Sequence, residues 1–147
     1  MKVYFATDHA GFELKNTLLA YVEEELGFET EDCGAYELDE TDDYPVFIKK
    51  AAEVVSDDPE NRRAIILGGS GEGEAMVANK FAYVRAAVYY GGTLDIVSLS
   101  REHNNANVLS LGARFLSPEE AKKAVELWLS TAFSGEERHV RRINMFS

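Results

Sequence analysis

The chain has 147 residues and a formal net charge of −11, which argues against a nucleic-acid backbone or an anionic membrane as its partner. Its single cysteine, Cys33, excludes an internal disulfide and is typical of a reducing cytoplasm. Met1 and Lys2 lead straight into a strand-like segment, and no apolar run approaches the roughly 18 residues of a membrane span. We therefore expect one cytoplasmic domain over residues 1–147.

Strand and helix patterns alternate along the whole chain. Short apolar segments predict strands at 2–7, 28–34, 63–69, 84–90 and 107–112. Helical spacing predicts a helix that includes 14–22 and stops at Gly27, helices over 45–56 and 93–102, and a helix that starts with 74–81. A capping box at Ser117 opens a helix through about Ser130, and a short basic segment follows at 136–145. This alternation predicts an α/β fold whose parallel sheet is covered on both faces. Ligands of such sheets bind at the carboxyl ends of the strands.

The segment GGSGEGEA, residues 68–75, joins the third predicted strand to a helix. A dinucleotide fingerprint and a P-loop both fail at Glu74, and a hydrolase elbow on Ser70 fails at Glu72. The backbone N–H groups of residues 70–73 still form an anion site, which can serve an oxyanion that develops during a reaction. A carboxylate beside it can remove a proton from a carbon next to a carbonyl. Alternatively, Glu74 only complements the helix dipole.

A local cluster of positive charge near the C-terminus contrasts with the acidic chain. Arg138, Arg141 and Arg142 fall within five residues, with His139 among them. This cluster suits a small anion better than a polyanion, although a solvated helix end with favourable dipole contacts explains it equally well. We expect His139 to be a surface residue without a task.

Five blocks occur in a specific order: TDHAGFELK (7–15), DDYP (42–45), GGSGEGEAMVANK (68–80), REHNNANVLSLGAR (101–114) and RHVRRI (138–143). Together they closely resemble the type B ribose-5-phosphate isomerase family, which includes galactose-6-phosphate and allose-6-phosphate isomerases. The resemblance runs from Met1 to about Ile143. It implies a Rossmann-like three-layer α/β/α fold with a five-stranded parallel sheet. It also implies reversible aldose–ketose isomerisation of a small phosphorylated sugar through a cis-enediolate, without metal or organic cofactor.

The resemblance further implies a homodimer, or a dimer of dimers, whose active site is completed across the interface with help from segment 136–147. One branch of the family uses a cysteine at the position of Gly68, and the other uses a glutamate at the position of Glu74, as here. Glu74 is then the base that moves the proton between C2 and C1. His103 opens the furanose ring and Asp8 assists it.

The remaining site residues also follow from the resemblance. Ser70 and the amides of Gly71, Glu72 and Gly73 hold the oxyanion, while the other substrate contacts are His9, Tyr44 and Asn104, with Arg114, Arg138 and Arg142 on the phosphate. The planar fork of arginine suits a phosphate. We expect Asp8, His9, Ser70, Glu74 and His103 at one edge of the sheet, Arg141 in solvent, and Cys33 as a small buried residue.

Two departures from the family pattern stand out. Glu72 occupies a position where we expect a neutral residue, so we expect its side chain to face solvent and only its amide to serve the site. Tyr89 and Tyr90, in segment 89–100, could reshape the pocket, which keeps a six-carbon sugar phosphate open as an alternative to ribose 5-phosphate. The residues also leave open a non-catalytic sugar-phosphate-binding protein and a serine hydrolase built on Ser70.

Overall fold

One parallel sheet forms the centre of the protein in a computed structural model that describes all 147 residues. Its strands are β1 (Lys2–Thr7), β2 (Glu29–Asp32), β3 (Arg62–Gly68), β4 (Ala86–Tyr89) and β5 (Val108–Gly112). Their order across the sheet is β2-β1-β3-β5-β4, and every neighbouring pair is parallel. The register pairs Thr7 with Leu67 and Gly68 with Gly112, so the three central strands end close together.

Helices cover both faces of this sheet. After a short 3₁₀ turn at His9–Gly11 come α1 (Phe12–Glu24), α2 (Tyr44–Asp57), α3 (Glu72–Ala78), α4 (Asp95–Glu102), α5 (Pro118–Ser130) and α6 (Glu137–Asn144). Helices α2 and α3 pack on one face, and α1, α4 and α5 pack on the other. The predicted three-layer α/β/α arrangement with a five-stranded parallel sheet is therefore confirmed.

The central strand β3 shows why the sequence folds in this way. Its residues 64–67 are fully buried, because a parallel sheet has helices on both of its faces. Successive side chains point to opposite faces, so Ile65 and Leu67 join the core beneath α1 and α5, while Ala64 and Ile66 join the core beneath α2. A continuous apolar run thus serves two cores.

Local signals place the helix starts that matter for the site. The predicted capping box is present at α5, where the Ser117 side chain accepts from the N–H of Glu120 and the Glu120 side chain reaches back. Helix α3 begins at Glu72, two residues before the predicted start. The reason is Gly71, whose φ of 81° ends the loop and makes Glu72 the first helical residue.

One fully buried cation fixes α1 against the sheet. Lys15 Nζ donates to both carboxylate oxygens of Asp32, at 2.7 and 2.6 Å, and to the carbonyl of Ala35 at 2.7 Å. These contacts tie the helix after β1 to the end of β2 and to the segment that follows it. None of the helices combines the length and the hydrophobicity that crossing a membrane requires.

Candidate active site

A cavity of about 390 Å³ opens at the carboxyl edge of the sheet, beside the ends of β1 and β3. It is lined by Asp8, His9, Ala10, Tyr44, Gly69, Ser70, Gly73, Glu74 and Arg114. Seven of the predicted site residues therefore meet here, although they come from four separate sequence blocks. This is the edge at which doubly wound sheets bind their ligands.

Glu74 is the one deeply buried carboxylate on α3, with 4% of its surface exposed. Burial raises the pKa of its carboxyl above the ordinary value, and the nearby charge of Asp8 raises it further. A hydrogen bond from the residue's own backbone N–H opposes this shift. A carboxylate with a raised pKa is a stronger base than an ordinary glutamate, which suits proton abstraction.

The carboxylate of Glu74 occupies the space above Gly68. A Cβ atom added to Gly68 would overlap all three atoms of that carboxylate. Glycine at position 68 is therefore a condition for the observed position of the Glu74 side chain.

The glycine loop is held in place by neighbouring groups. The fully buried Ser110 hydroxyl donates to the carbonyl of Gly71 at 2.6 Å. Ser70 Oγ accepts the N–H of Glu72 at 3.3 Å, which leaves the hydroxyl hydrogen of Ser70 available to a developing oxyanion. On the other side, a Cβ atom at Gly73 would lie 2.6 Å from the hydroxyl of Tyr44, so glycine allows the tyrosine to close over the loop.

Two further expectations about this region are confirmed. The Glu72 side chain is exposed and takes no part in lining the cavity. Cys33 is buried, and its burial, helped by the charges of Glu31 and Asp32, raises the pKa of the thiol to about 11, which is unsuited to a nucleophile.

No histidine is hydrogen-bonded to Ser70, so the arrangement of a serine hydrolase is absent.

His9 is held by a residue that sequence reasoning did not select. Asp42 Oδ1 lies 2.7 Å from His9 Nδ1 and also accepts the backbone N–H of His9 at 3.0 Å. The hydrogen bond to Asp42 is the main cause of a raised pKa for His9, which favours the charged imidazolium. Asp42 is the first residue of the acidic run DDYP, so the sequence contained a candidate partner for a histidine. Only the fold shows that this partner is His9.

Arg114 adds a second cationic group to the cavity. It follows β5, donates its backbone N–H to the carbonyl of Gly69 at 3.1 Å, and lies with its guanidinium close to the same glycine. Because a Cβ atom at Gly69 would be 3.2 Å from Arg114 Nη1, the small residue lets the guanidinium approach the loop. The cavity therefore combines two cationic groups, His9 and Arg114, with the carboxylates of Glu74 and Asp8.

The remaining predicted site residues lie elsewhere in the chain. Helix α4 starts after the carboxyl end of β4 and returns to the amino end of β5, so His103 and Asn104 lie at the opposite edge of the sheet. The expectation that His103 shares one edge with Asp8, Ser70 and Glu74 is wrong for a single chain. The physical reason is that a helix joining two parallel strands must bring the chain back to the starting edge.

A second cluster forms around His103. Its ring stacks on that of His139 in α6, with centroids 4.3 Å apart and planes 18° apart. His139 is 5% exposed, so the expectation of a surface residue is wrong, because α6 docks through this side chain. Arg138 and Arg142 lie exposed on the same helix. Arg141 is exposed as expected and pairs with Glu137.

A larger cavity, of about 630 Å³, also lies at this opposite edge, with Asn104, Tyr83, Arg85 and Phe146 in its wall. No acidic side chain and no histidine line it, so it offers no acid–base pair of side chains. The smaller cavity at the carboxyl edge is therefore the candidate active site.

Fold and cavity together define a doubly wound α/β protein with a cavity of ligand size at the carboxyl ends of its strands, next to a buried carboxylate. A sequence profile of the ribose/galactose isomerase family matches residues 3–146. The chain belongs to this family.

Named relatives span the whole chain. The ribose-5-phosphate isomerase B of Mycolicibacterium paratuberculosis is 41% identical over 147 residues, which is all of this chain and 90% of the relative. That of Escherichia coli is 37% identical over 142 residues, covering 97% of this chain and 91% of the relative. A crystal structure of ribose-5-phosphate isomerase B from Mycoplasma genitalium with bound ribulose-5-phosphate has a TM-score of 0.92 at 35% identity, covering 98% of this chain and 92% of that one.

Proposed function

We propose that this chain is an aldose–ketose isomerase that interconverts ribose 5-phosphate and ribulose 5-phosphate. The observation that carries the proposal is the buried Glu74 carboxylate, which has a raised pKa and lies beside the glycine loop in the carboxyl-edge cavity. The relatives named above support it, since they are ribose-5-phosphate isomerases and one of them binds ribulose 5-phosphate.

The proposed reaction starts from the open-chain aldose. Glu74 removes the proton from C2, and the electron pair of that C–H bond forms the C1–C2 double bond of the enediolate. The negative charge moves to O1, where the Ser70 hydroxyl and the N–H groups of the loop stabilise it. Glu74 then returns the proton to C1, while the proton of the C2 hydroxyl passes to O1 and leaves a ketone at C2. The proton inventory balances without a redox partner.

We further propose that two copies of the chain complete each site. Glu74 and His103 lie at opposite edges of one sheet, so one chain cannot offer both to one sugar. In a homodimer, His103 and Asn104 of the second copy face the carboxyl-edge cavity of the first. Arg138 and Arg142, in the 136–147 segment of that copy, then join Arg114 and His9 on the phosphate. The whole chain, 1–147, acts as one cytoplasmic domain.

The decisive experiment compares two neighbouring glutamates. Glu74→Gln is expected to lower the exchange of the substrate C2 and C1 protons with deuterated solvent by at least about a hundredfold, the usual worth of a general base. Glu72→Asn is the matched control, and it should retain most of the exchange because its side chain faces away from the cavity. Mass spectrometry of the recovered sugars measures both. An equal loss in the two variants would contradict the assignment of the base.

The six-carbon alternative has no support from the residues that suggested it. Tyr89 is buried and donates its hydroxyl to the carbonyl of Gly92 at 3.0 Å, and Tyr90 lies against Phe115. Neither tyrosine lines the cavity. In an assay of ribose 5-, allose 6- and galactose 6-phosphate with excess chelator, ribose 5-phosphate should therefore be turned over fastest. Binding of these sugars without conversion of any of them would instead indicate a non-catalytic binding protein.

A further inference from the structure

We infer that His139 is a positioning residue whose imidazole, stacked on that of His103, holds His103 in the orientation needed to open the furanose ring. The inference rests on the proposed function and adds to it a residue that does not touch the substrate. Its role would lie in the ring-opening step and not in the proton transfer at Glu74.

The contact between the two rings is made through their faces. Their centroids are 4.3 Å apart and their planes are nearly parallel. His139 Nε2 is buried and has no hydrogen-bond partner, so a hydrogen bond through that atom does not explain why the ring is buried here. Stacked aromatic rings resist rotation of either ring, because turning one out of plane breaks the contact along its whole face.

His103 needs such support because of its place in the chain. It directly follows α4 as the cap of the helix's C-terminal end, and its backbone N–H donates to the carbonyl of Leu99 at 3.0 Å. Two residues later the backbone turns through Asn105, whose φ is 46°. Because no helical turn follows His103, its ring has helical neighbours on the N-terminal side alone. The stacked ring of His139 supplies a contact on a further side.

The helix that carries His139 is itself anchored. Helix α6 buries only His139 and Ile143, which are four residues apart and therefore lie on one face. Just before the helix, the backbone N–H of Ser134 donates to the carbonyl of Glu102 at 3.1 Å. His139 is thus fixed relative to the end of α4, which a positioning residue requires.

The charges around His139 favour an uncharged ring. Burial lowers the pKa of His139, and His103, Arg138 and Arg142 lower it further, while Glu136 has the opposite effect. A neutral imidazole can remain stacked on His103 when His103 gains a proton, because only one of the two rings is then charged. Two imidazolium rings in the same contact would repel each other.

The test separates ring opening from proton transfer. Ribose 5-phosphate is mostly a closed furanose, whereas ribulose 5-phosphate is open-chain, since its C5 oxygen carries the phosphate. His139→Ala should lower turnover of ribose 5-phosphate about three- to tenfold, the worth of one aromatic pair. The same variant should keep the wild-type rate of deuterium exchange into ribulose 5-phosphate. His139→Phe preserves a flat ring and should restore most of the turnover.

Ile143→Ala is the matched control, because it removes the other buried side chain of α6 without touching His103. It should raise KM for both sugars equally, since both carry the phosphate that Arg138 and Arg142 are proposed to bind. Equal losses of turnover and exchange in His139→Ala would overturn the inference, as would a His139→Phe protein that is as impaired as His139→Ala. A wild-type protein that neither turns over nor exchanges either sugar would contradict the isomerase proposal itself.

Discussion

The Glu74 carboxylate lies where a side chain at position 68 would be. This steric relation explains why position 68 is a glycine better than phosphate binding by the loop does. The carboxylate fills the volume that any side chain at position 68 would need. The glycine is thus required by a neighbouring side chain and not by the conformation of its own backbone. In this loop the absence of a side chain at 68 makes room for the carboxylate that we propose as the base.

Gly68→Ala tests this relation. The displaced atoms belong to the flexible end of Glu74, so the fold can adapt by moving the carboxylate, and the melting temperature should fall by only a few degrees. We expect turnover to fall at least about tenfold, because a base displaced by an ångström loses its alignment with the substrate.

A double variant supplies the control for Gly68→Ala. Suppose that Gly68→Ala lowers turnover only by displacing the Glu74 carboxylate. The double variant Gly68→Ala/Glu74→Gln should then be no less active than Glu74→Gln alone, because it has no carboxylate to displace. A fully active Gly68→Ala protein would contradict the shared-space interpretation.

At the level of single residues, sequence reasoning identified the groups of the cavity but not their contacts. The loop that contains Glu74 and Ser70 matches none of three known motifs, and the family resemblance identifies both residues as site residues. Asp42 and His139 were missed for a common reason, which is that each acts by touching a histidine far away in the chain. Such contacts depend on how segments meet, and no local pattern encodes them.

The segment between β2 and α2 shows how an irregular stretch is held at the level of elements. Residues 33–43 contain no strand or helix, yet both of their ends are attached. Lys15 binds the carbonyl of Ala35 at one end, and Asp42 binds His9 at the other. The second attachment also raises the pKa of His9 and so favours its charged form, which links the segment before α2 to the electrostatics of the site.

Asp42→Asn should therefore change substrate binding in a pH-dependent way. Without the carboxylate, the pKa of His9 falls from its raised value, so the ring loses its charge at a lower pH. At a pH between the pKa of His9 in the variant and its raised pKa in the wild type, the variant should show a KM for ribose 5-phosphate raised about tenfold, the loss of the one charge-assisted hydrogen bond that we propose to the phosphate. At a second, lower pH, below both pKa values, His9 is protonated in both proteins and the difference should disappear.

The neighbouring residue offers a control for this pH dependence. Asp43 is exposed, and its side chain makes no capping hydrogen bond to α2, so Asp43→Asn should leave KM unchanged at both pH values. Steady-state kinetics across the pH range measures the effect. A rise in KM that is the same at both pH values would show that Asp42 acts through structure alone.

The elements themselves were largely predictable. Fully buried strands such as β3 appear as continuous apolar runs, and α5 carries its own start signal at Ser117. The start of α3 was missed by two residues because a left-handed glycine, Gly71, fixed it. A strand or helix is a property of a local stretch, whereas such a boundary depends on one backbone angle.

On the scale of the whole molecule, the predicted site is divided between two edges of the sheet. The carboxyl edge of the sheet holds Glu74, Ser70 and Asp8. The opposite edge holds His103 and the helix packed against it, α6, which carries the arginines. The predicted helix 93–102 and strand 107–112 already place His103 before the amino end of a parallel strand, but an expectation drawn from motifs alone does not use this crossover. The division is the structural basis for the proposed homodimer.

A mixture of two impaired variants tests that proposal. Glu74→Gln and His103→Ala should each have little activity on ribose 5-phosphate. When the two proteins are unfolded and refolded together, about half of the dimers are mixed and each mixed dimer has one intact site, so about a quarter of wild-type activity should return. Each variant refolded alone is the control. No recovery in the mixture would mean that each site draws both residues from the same chain.

The space above Gly68 also makes the choice of residue at two positions interdependent. The family resemblance implies a branch with a cysteine base at position 68, in place of a glutamate base at position 74. In this chain the Glu74 carboxylate fills the place that a cysteine side chain at position 68 would take. The two bases therefore compete for one volume, and this fold can hold only one of them there at a time.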